Sequence, residues 1–244
     1  MVMMPLARRL EWCLGVCIVL SVLTWFHARH VQARWLNVPP APSTIGANMM
    51  TLGDSKFAYR MTALLLQNLG DYGGKTQNLK NYDYDQLKSW LLLSFRLDPR
   101  AEFVPYLAAY YFGAVEDPVK VRRVIEYLRI AGNSAEGEKW RWLMQAVYLA
   151  RFKANDLPWA LQMARELAAI PNDSMPALAR QMPAFVASAQ GDKQTALKIM
   201  ETLLQSGSGK MQRAEVNFTI DYICHRILDE TEAKAHPLCQ NIPP

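Results

Sequence analysis

The chain has 244 residues, of which 51% are hydrophobic and 20% are charged, with a formal net charge of +5 at pH 7 and a pI near 9.0. This composition is that of a globular protein and excludes a largely disordered chain. Lysine and arginine are scattered among aspartate and glutamate, so the charge pattern gives no support to a nucleic-acid-binding function. The length allows one ordinary domain or a short helical solenoid, together with a membrane anchor.

Residues 1–34 follow the basic-then-apolar order of a targeting or anchoring segment. Arg8 and Arg9 precede an unbroken apolar run from Trp12 to Phe26. As a helix this run is shorter than the hydrocarbon core of a membrane, which is about 30 Å thick. The segment is therefore compatible with either retention in the membrane or removal.

Two interpretations of this segment stay open. In the first, it is retained as a signal anchor that contacts the membrane through residues 10–26. In the second, it is the hydrophobic part of a signal peptide that is cleaved near Ala33. The anchor is favoured because Trp12 and Trp25 would lie about 20 Å apart along a helix, as interfacial aromatic residues do.

Either fate predicts that the rest of the chain is exported. Basic residues flank the apolar run on both sides, so the order of the segments sets the expected orientation. We expect a single-pass membrane protein with a cytoplasmic N-terminus and an extracytoplasmic domain, at a bacterial inner membrane with the domain in the periplasm. The alternative is a protein secreted after cleavage.

Residues 35–53 contain Pro39, Pro40 and Pro42 and are predicted to form a semi-rigid, extended linker between the membrane and the domain. Asp54 can then cap the first helix of the domain. The apolar residues of this helix have the spacing of one buried face. They are Phe57, Met61, Leu64, Leu65 and Leu69.

The centre of the domain, residues 139–205, contains the same pattern of two helices twice. Asp156 and Asp192 lie at the break within each pair, and Ala160 and Ala196 occupy equivalent positions in the second helices. The differences 192 − 156 and 196 − 160 are both 36 residues. Helical spacing of apolar residues predicts these helices and earlier ones. Among them are Tyr84–Leu97, Val119–Ile130, Trp140–Phe152 and Pro158–Ile170.

Three short motifs connect this pattern with a known family. They are Asn155-Asp156 with Ala160, Gly191-Asp192 with Ala196, and Leu97-Asp98-Pro99. On these motifs the chain from residue 55 to 229 resembles tetratricopeptide-repeat proteins, whose unit has about 34 residues. The resemblance implies an all-α fold, in which an N-terminal transmembrane helix is followed by a short antiparallel helix-pair solenoid. The repeat domain would span residues 54–229 and the C-terminal tail residues 230–244, with Pro183 kinking or splitting one helix.

The resemblance also implies a partner-binding groove on the first helices of the repeats. The residues at the corresponding positions are largely aromatic and uncharged, which suits an apolar or extended peptide segment. They are Phe103, Tyr106, Tyr110, Trp142, Gln145, Leu149, Phe152, Lys153, Leu178, Gln181, Phe185 and Ser188. The alternative is that these residues pack in the core, as aromatic stripes at helical spacing commonly do.

The cysteines of the exported part, Cys224 and Cys239, have three open interpretations: a disulfide, two free thiols, or a metal site with His225 and His236. The metal site is disfavoured because neighbouring residues on a helix point about 100° apart. We therefore expect no metal and no cofactor.

Catalytic motifs are missing from the sequence: there is no Gly-x-Ser-x-Gly elbow, no His-Glu-x-x-His and no dinucleotide fingerprint. Residues 208–210, Ser-Gly-Lys, lack the flanking residues of a phosphate loop. We expect a non-enzymatic, membrane-anchored interaction scaffold or assembly factor that binds a partner protein or membrane complex on the extracytoplasmic side. The alternatives are a constitutive structural subunit of a membrane complex and an envelope enzyme built on a helical solenoid.

Overall fold

The computed structural model of the protein describes residues 6–29, 38–72, 75–172, 174–207 and 211–240. The chain divides into two units, Met1–Asn37 and Val38–Pro244, which we describe separately. The described residues form helices and one hairpin of two short strands. The prediction of an all-α protein is therefore confirmed.

The first unit contains helix α1, Leu6–Ala28. Within it, the 18 residues Glu11–Ala28 have a mean hydropathy of 1.5, so the helix is long and apolar enough to cross a membrane. A signal sequence has the same length and composition, so this feature alone fits both predicted fates. At the end of α1, the Arg29 guanidinium lies 4.1 Å from the centre of the Phe26 ring and 5.3 Å from that of Trp25. Arginine against aromatic rings is typical of a membrane–water interface.

The second unit consists of eleven helices and the hairpin over the described residues. They are α2 (Thr44–Met50), α3 (Ser55–Gln67), β1 (Asp71–Tyr72), β2 (Lys75–Thr76), α4 (Tyr84–Leu97), α5 (Phe103–Tyr110), α6 (Pro118–Gly132), α7 (Trp140–Phe152), α8 (Leu157–Ala168), α9 (Ala177–Ala189), α10 (Lys193–Gly207), α11 (Arg213–Tyr222) and α12 (Glu230–Ala235). A π-helical turn, Ile223–Ile227, continues α11, and 3₁₀ turns occur at Leu79–Asn81, Phe112–Ala114 and Pro237–Cys239.

Aspartate side chains start many of these helices. The Asp156 carboxylate accepts a hydrogen bond from the backbone N–H of Trp159 at 3.0 Å, and Asp192 accepts one from Thr195 at 3.0 Å. Asp54, Asp83 and Asp117 cap α3, α4 and α6 in the same way. Each cap satisfies a backbone donor that the helix itself leaves unpaired, and is worth about 1 kcal/mol.

From α6 to α10, each helix packs against the next helix in the sequence. Helices two positions apart are also in contact: α3 with α5, α5 with α7, and α7 with α9. Small buried residues such as Ala146, Ala160 and Ala184 allow close helix approach. The closest approach is at Gly132 of α6, where a Cβ would meet the backbone N and the Cβ of Leu143 in α7.

The segment from 38 to 53 differs from the predicted extended linker. Val38 and Ala47 are buried in the core of the second unit, and the Trp90 indole N–H donates to the Pro39 carbonyl at 2.7 Å. Ser43 caps α2 by accepting from the Gly46 N–H at 3.0 Å. The prolines therefore precede a helix that belongs to the domain, and residues 35–37 lie outside the described residues.

Of the five residues predicted to form the buried face of the first helix of the domain, α3, Leu69 is buried and Leu65 is half-buried, but the other three are not. Phe57, Met61 and Leu64 are exposed, whereas the buried residues are Ala58, Tyr59, Thr62, Ala63 and Leu66. The small side chains of this second set allow neighbouring helices to approach, and the Tyr59 hydroxyl accepts from the Val104 N–H of α5 at 3.2 Å. Packing against neighbours, and not hydrophobicity alone, selected the buried face.

Pro183 does not split α9, which runs unbroken from Ala177 to Ala189 with Pro183 buried. A proline removes only the one backbone donor of its own residue, and the helix continues on both sides. Of the two predicted effects of this proline, a split of the helix is therefore wrong, and a kink stays a prediction.

Candidate functional site

Exposed aromatic side chains recur on α5 and α7. Tyr106 and Tyr110 of α5 are 55% and 53% exposed, and their rings lie 4.8 Å apart. Tyr148 and Phe152 of α7 repeat this arrangement, with rings 4.8 Å apart and the Phe152 side chain 57% exposed. Residues four apart lie on the same side of a helix. Each helix therefore presents a pair of neighbouring aromatic rings, tilted by 45° on α5 and 46° on α7.

Gln145 of α7 forms a hydrogen bond to the pair on α5. Its side-chain Nε2 donates a hydrogen bond to the Tyr110 hydroxyl at 3.0 Å, across the contact between α5 and α7. On α7, Gln145 lies in the same stripe as Tyr148 and Phe152, three and seven residues further on. We name Tyr106, Tyr110, Gln145, Tyr148 and Phe152 the aromatic face. Phe103, one turn before Tyr106, is also exposed.

The beginnings of α5 and α7 are held together below this face by a buried lysine. The Lys139 side chain is fully buried, and its Nζ donates to the carbonyls of Arg100 and Ala101 at 3.0 and 2.7 Å. The same nitrogen lies 2.7 Å from Glu102 Oε1. Glu102 also accepts a hydrogen bond from the Trp142 indole. This cluster fixes how α5 and α7 present their aromatic side chains.

Trp142 and Leu149 are corrections to the predicted groove. Trp142 is only 6% exposed because its ring packs in the core and its N–H is bonded to Glu102. Leu149 is buried against Gly113, where a Cβ would lie 2.9 Å from a Leu149 methyl group. Both residues support the aromatic face from beneath and do not line an open surface.

Gln181 and Phe185 are also corrections, because α11 covers them. Gln181 is 1% exposed and donates to the Thr219 hydroxyl at 2.7 Å. The Phe185 ring lies 4.8 Å from Tyr222 and is buried. Of the predicted positions on α9, Leu178 stays exposed and Ser188 is half-buried.

Phe218 of α11 is an exposed aromatic residue that the sequence analysis missed. Its ring lies 6.2 Å from both Phe185 and Tyr222. The apolar spacing of α11 predicts an amphipathic helix, but it does not tell which side of the helix covers α9. Phe218 could have been found only from the contact between the two helices.

The C-terminal end of α7 adds positive charge to the aromatic face. The Arg151 guanidinium lies 4.6 Å from the centre of the Phe152 ring, a cation–π distance. Lys153 follows at the C-cap and is half-buried, and its backbone N–H donates to the Leu149 carbonyl at 2.9 Å. A ligand of this face therefore meets aromatic rings with basic groups at one end.

Helices α6 and α8 are linked by ion pairs. Arg122 pairs with Asp156 at 2.6 Å, and Arg129 Nε donates to Glu166 at 2.9 Å. Burial raises the pKa of Glu166, but hydrogen bonds from Arg129 and Asn133 outweigh burial and hold this pKa below its ordinary value of 4.5. These ion pairs therefore connect α6 to α8.

A disulfide joins Cys224, after α11, to Cys239 in the C-terminal tail, with Cα atoms 5.7 Å apart. Nearby, His236 Nε2 lies 3.1 Å from Glu201 of α10. The predicted tail, as far as residue 240, is therefore tied to the end of the domain. Among the described residues, no group of three or more His, Cys, Asp or Glu side chains is placed to hold a metal ion.

No protein-family model, curated protein or solved structure matches the chain. The aromatic face is therefore identified as a candidate site by its geometry alone. Residues 208–210, the Ser-Gly-Lys sequence that partly resembles a phosphate loop, lie outside the described residues.

Proposed function

We propose that this protein is a non-catalytic, membrane-anchored scaffold whose domain binds an extended, apolar segment of a partner protein along the aromatic face. The observation that carries the proposal is the exposed Tyr106–Tyr110 pair of α5, which is hydrogen-bonded through Tyr110 to Gln145 of α7, the helix that carries the exposed Tyr148–Phe152 pair. Tyrosine and phenylalanine bury large areas on binding and lose little side-chain entropy, so they are preferred at binding surfaces.

A recurring polar contact supports a tetratricopeptide-like stack of helix pairs as the architecture. Side chains on neighbouring pairs are joined across separations of 34 to 40 residues: Arg122–Asp156, Tyr110–Gln145, Arg129–Glu166, Gln181–Thr219 and Glu102–Trp142. These separations bracket the 36-residue repeat of the sequence and the family unit of about 34 residues. Repeat stacks of this kind present extended binding surfaces.

Helix α1 and the cysteines support the proposed location. We assign α1 as a retained anchor with its N-terminus in the cytoplasm and the domain outside, in the periplasm of a bacterial cell. The Cys224–Cys239 disulfide belongs in an oxidising compartment. An anchor also concentrates the domain at the membrane, so that a modest affinity of the aromatic face is sufficient for assembly.

The location is tested by adding protease to spheroplasts, in which the outer face of the inner membrane is accessible, and sequencing the N-terminus of the retained chain. We expect a full-length chain in the membrane and digestion of the domain from outside. A chain that begins near residue 34 and leaves the membrane would show cleavage, and a domain protected from outside protease would place it in the cytoplasm.

The binding face is tested by introducing a photo-crosslinking amino acid at Tyr106 or Phe152 of the full chain in its native membrane. Val119 is the matched control, since it is an exposed apolar residue of α6. We expect both face positions to crosslink to the same partner segment and Val119 not to do so. The Tyr110→Ala variant should then weaken capture of that partner about tenfold or more, as loss of an aromatic contact does. Equal crosslinking from all three positions would contradict the proposed face.

A further inference from the structure

The α2–α3 surface is a second exposed apolar surface, separate from the aromatic face. It consists of Ile45, Met49, Met50, Leu52, Phe57, Met61 and Leu64. Beside it opens a cavity of about 430 Å³, lined in part by Pro42, Met50, Phe57, Met61 and Leu65. Such a concentration of large exposed apolar side chains is uncommon on a protein surface and marks an interaction site.

The turn between α2 and α3 exposes Leu52 to solvent. Leu52 is 99% exposed and has a φ of 55°, a left-handed conformation that is unfavourable for a leucine. The buried Thr51 hydroxyl donates to the Asp54 carbonyl at 2.9 Å, and the Gly53 N–H donates to the Asn48 carbonyl at 2.8 Å. Ser55 adds a hydrogen bond to the Asn48 side chain at 2.9 Å. The turn is therefore built to present Leu52.

The two helices of this surface carry charges of one sign. Over Thr44–Met50 and Ser55–Gln67, the charged residues are Lys56 and Arg60, both exposed, and neither helix contains an acidic residue. Asp54 in the turn is engaged as the cap of α3, where it accepts from the Phe57 N–H at 3.0 Å. Exposed apolar residues beside basic ones are typical of a surface that lies on anionic lipid.

Few residues of the chain separate α1 from the domain. Val38 follows the end of α1 by 38 − 28 = 10 positions, and a stretch of that length reaches at most about 35 Å. For a chain anchored by α1, this length is an upper limit on the distance between the membrane and the start of the domain.

From these observations we propose that the α2–α3 surface docks on the membrane, with Leu52 and its neighbouring methionines inserted among the headgroups and Lys56 and Arg60 paired with anionic lipid phosphates. This inference rests on the membrane anchor of the proposed function. It gives the domain a fixed orientation on the bilayer, where a tether alone would leave it free to rotate.

The test uses the full chain in vesicles of phosphatidylcholine and phosphatidylglycerol, with Cys13 and Cys17 replaced by serine. Spin labels are placed at Leu52→Cys or Met61→Cys, with Val119→Cys as the matched exposed control. Collisions of each label with oxygen, which partitions into lipid, and with a water-soluble nickel chelate are then compared. We expect the nickel collision rate at Leu52 and Met61 to fall several-fold below that at Val119, with the oxygen rate raised.

Charge is tested in the same vesicles with the Lys56→Glu and Arg60→Glu double variant, against Lys198→Glu on exposed α10 as control. The double variant should restore nickel access at Leu52, and the control should not. Omitting phosphatidylglycerol should have the same effect as the double variant.

Three results would overturn the inference, and they are distinguishable. Labels at Leu52 and Met61 that are as open to nickel as Val119 would show that the surface does not dock on lipid. Dipolar broadening between Leu52 labels on different molecules would show that a second copy covers it. A Leu14→Cys label on α1 that is open to nickel would show that the anchor itself fails, and with it the proposed location.

Discussion

Gln181 of α9 and Thr219 of α11 form a buried hydrogen bond of 2.7 Å, although they are 38 residues apart. The Thr219 hydroxyl in turn donates to the Glu215 carbonyl at 2.7 Å. This bond holds α11 over α9 and explains why the predicted groove does not extend to Gln181.

We expect Thr219→Val to lower the free energy of unfolding by about 1–3 kcal/mol, because it leaves the buried Gln181 amide without a partner. Thr202→Val on the exposed side of α10 should change it by less than about 0.5 kcal/mol. Urea denaturation of both variants measures the difference. Equal stability of the two variants would show that α11 is held mainly by its aromatic contacts.

Lys139→Met should destabilise the domain by about 1–3 kcal/mol, since the carbonyls of Arg100 and Ala101 lose their buried donor. Methionine keeps most of the volume, so packing is nearly retained. Lys198→Met on the exposed surface is the matched control. Thermal unfolding compares the two. A Lys139→Met variant as stable as the control would show that water replaces the ammonium group in this cluster.

Acidification should weaken the contact between α6 and α8. The pKa of Glu166 in the folded protein lies below 4.5, so its contribution to stability is present above that pH and is lost as the pH falls through the folded pKa. We expect Glu166→Gln to flatten the decline of the free energy of unfolding below pH 4.5, relative to the unchanged chain. Glu230→Gln, on the exposed helix α12, serves as the control. An unchanged slope in Glu166→Gln would remove Glu166 from the acid response.

Reduction of the Cys224–Cys239 disulfide should loosen the C-terminal end and leave the centre intact. A bond across 15 residues contributes about 3 kcal/mol in the chain-entropy model. We expect Cys239→Ala to raise amide exchange over residues 228–240, with no change in α6–α8. Cys13→Ala, in α1, should leave both regions unchanged. Unchanged exchange in the tail would show that His236–Glu201 and packing hold it without the bond.

Local signals in the sequence were sufficient to place several helices. The predicted Tyr84–Leu97 and Trp140–Phe152 agree with α4 and α7, and Val119–Ile130 lies within α6. Aspartate caps and apolar spacing act over a few residues, so they can be read without knowledge of the fold. Helix α2 was missed because the prolines that precede it, together with Ser43, have the composition of a linker.

The exposed surfaces could not be predicted in the same way. Phe57 and Phe185 are both phenylalanines in helices, yet Phe57 is exposed on α3 and Phe185 is buried under α11. Which side of a helix is covered depends on a neighbour that arrives from elsewhere in the chain. For the same reason, of two predicted groove residues, Trp142 is buried and Tyr106 is exposed.

The polar contacts that recur at 34 to 40 residues also determine the order in which the domain can fold. In the part of the chain that the structure describes, the main helix contacts join helices that are one or two apart in sequence, so the early helices do not depend on the end of the chain for these contacts. Local topologies of this kind fold quickly. As the chain emerges from a ribosome or a translocation channel, the part near Val38 can therefore become structured first, and the remaining helices add to it one after another.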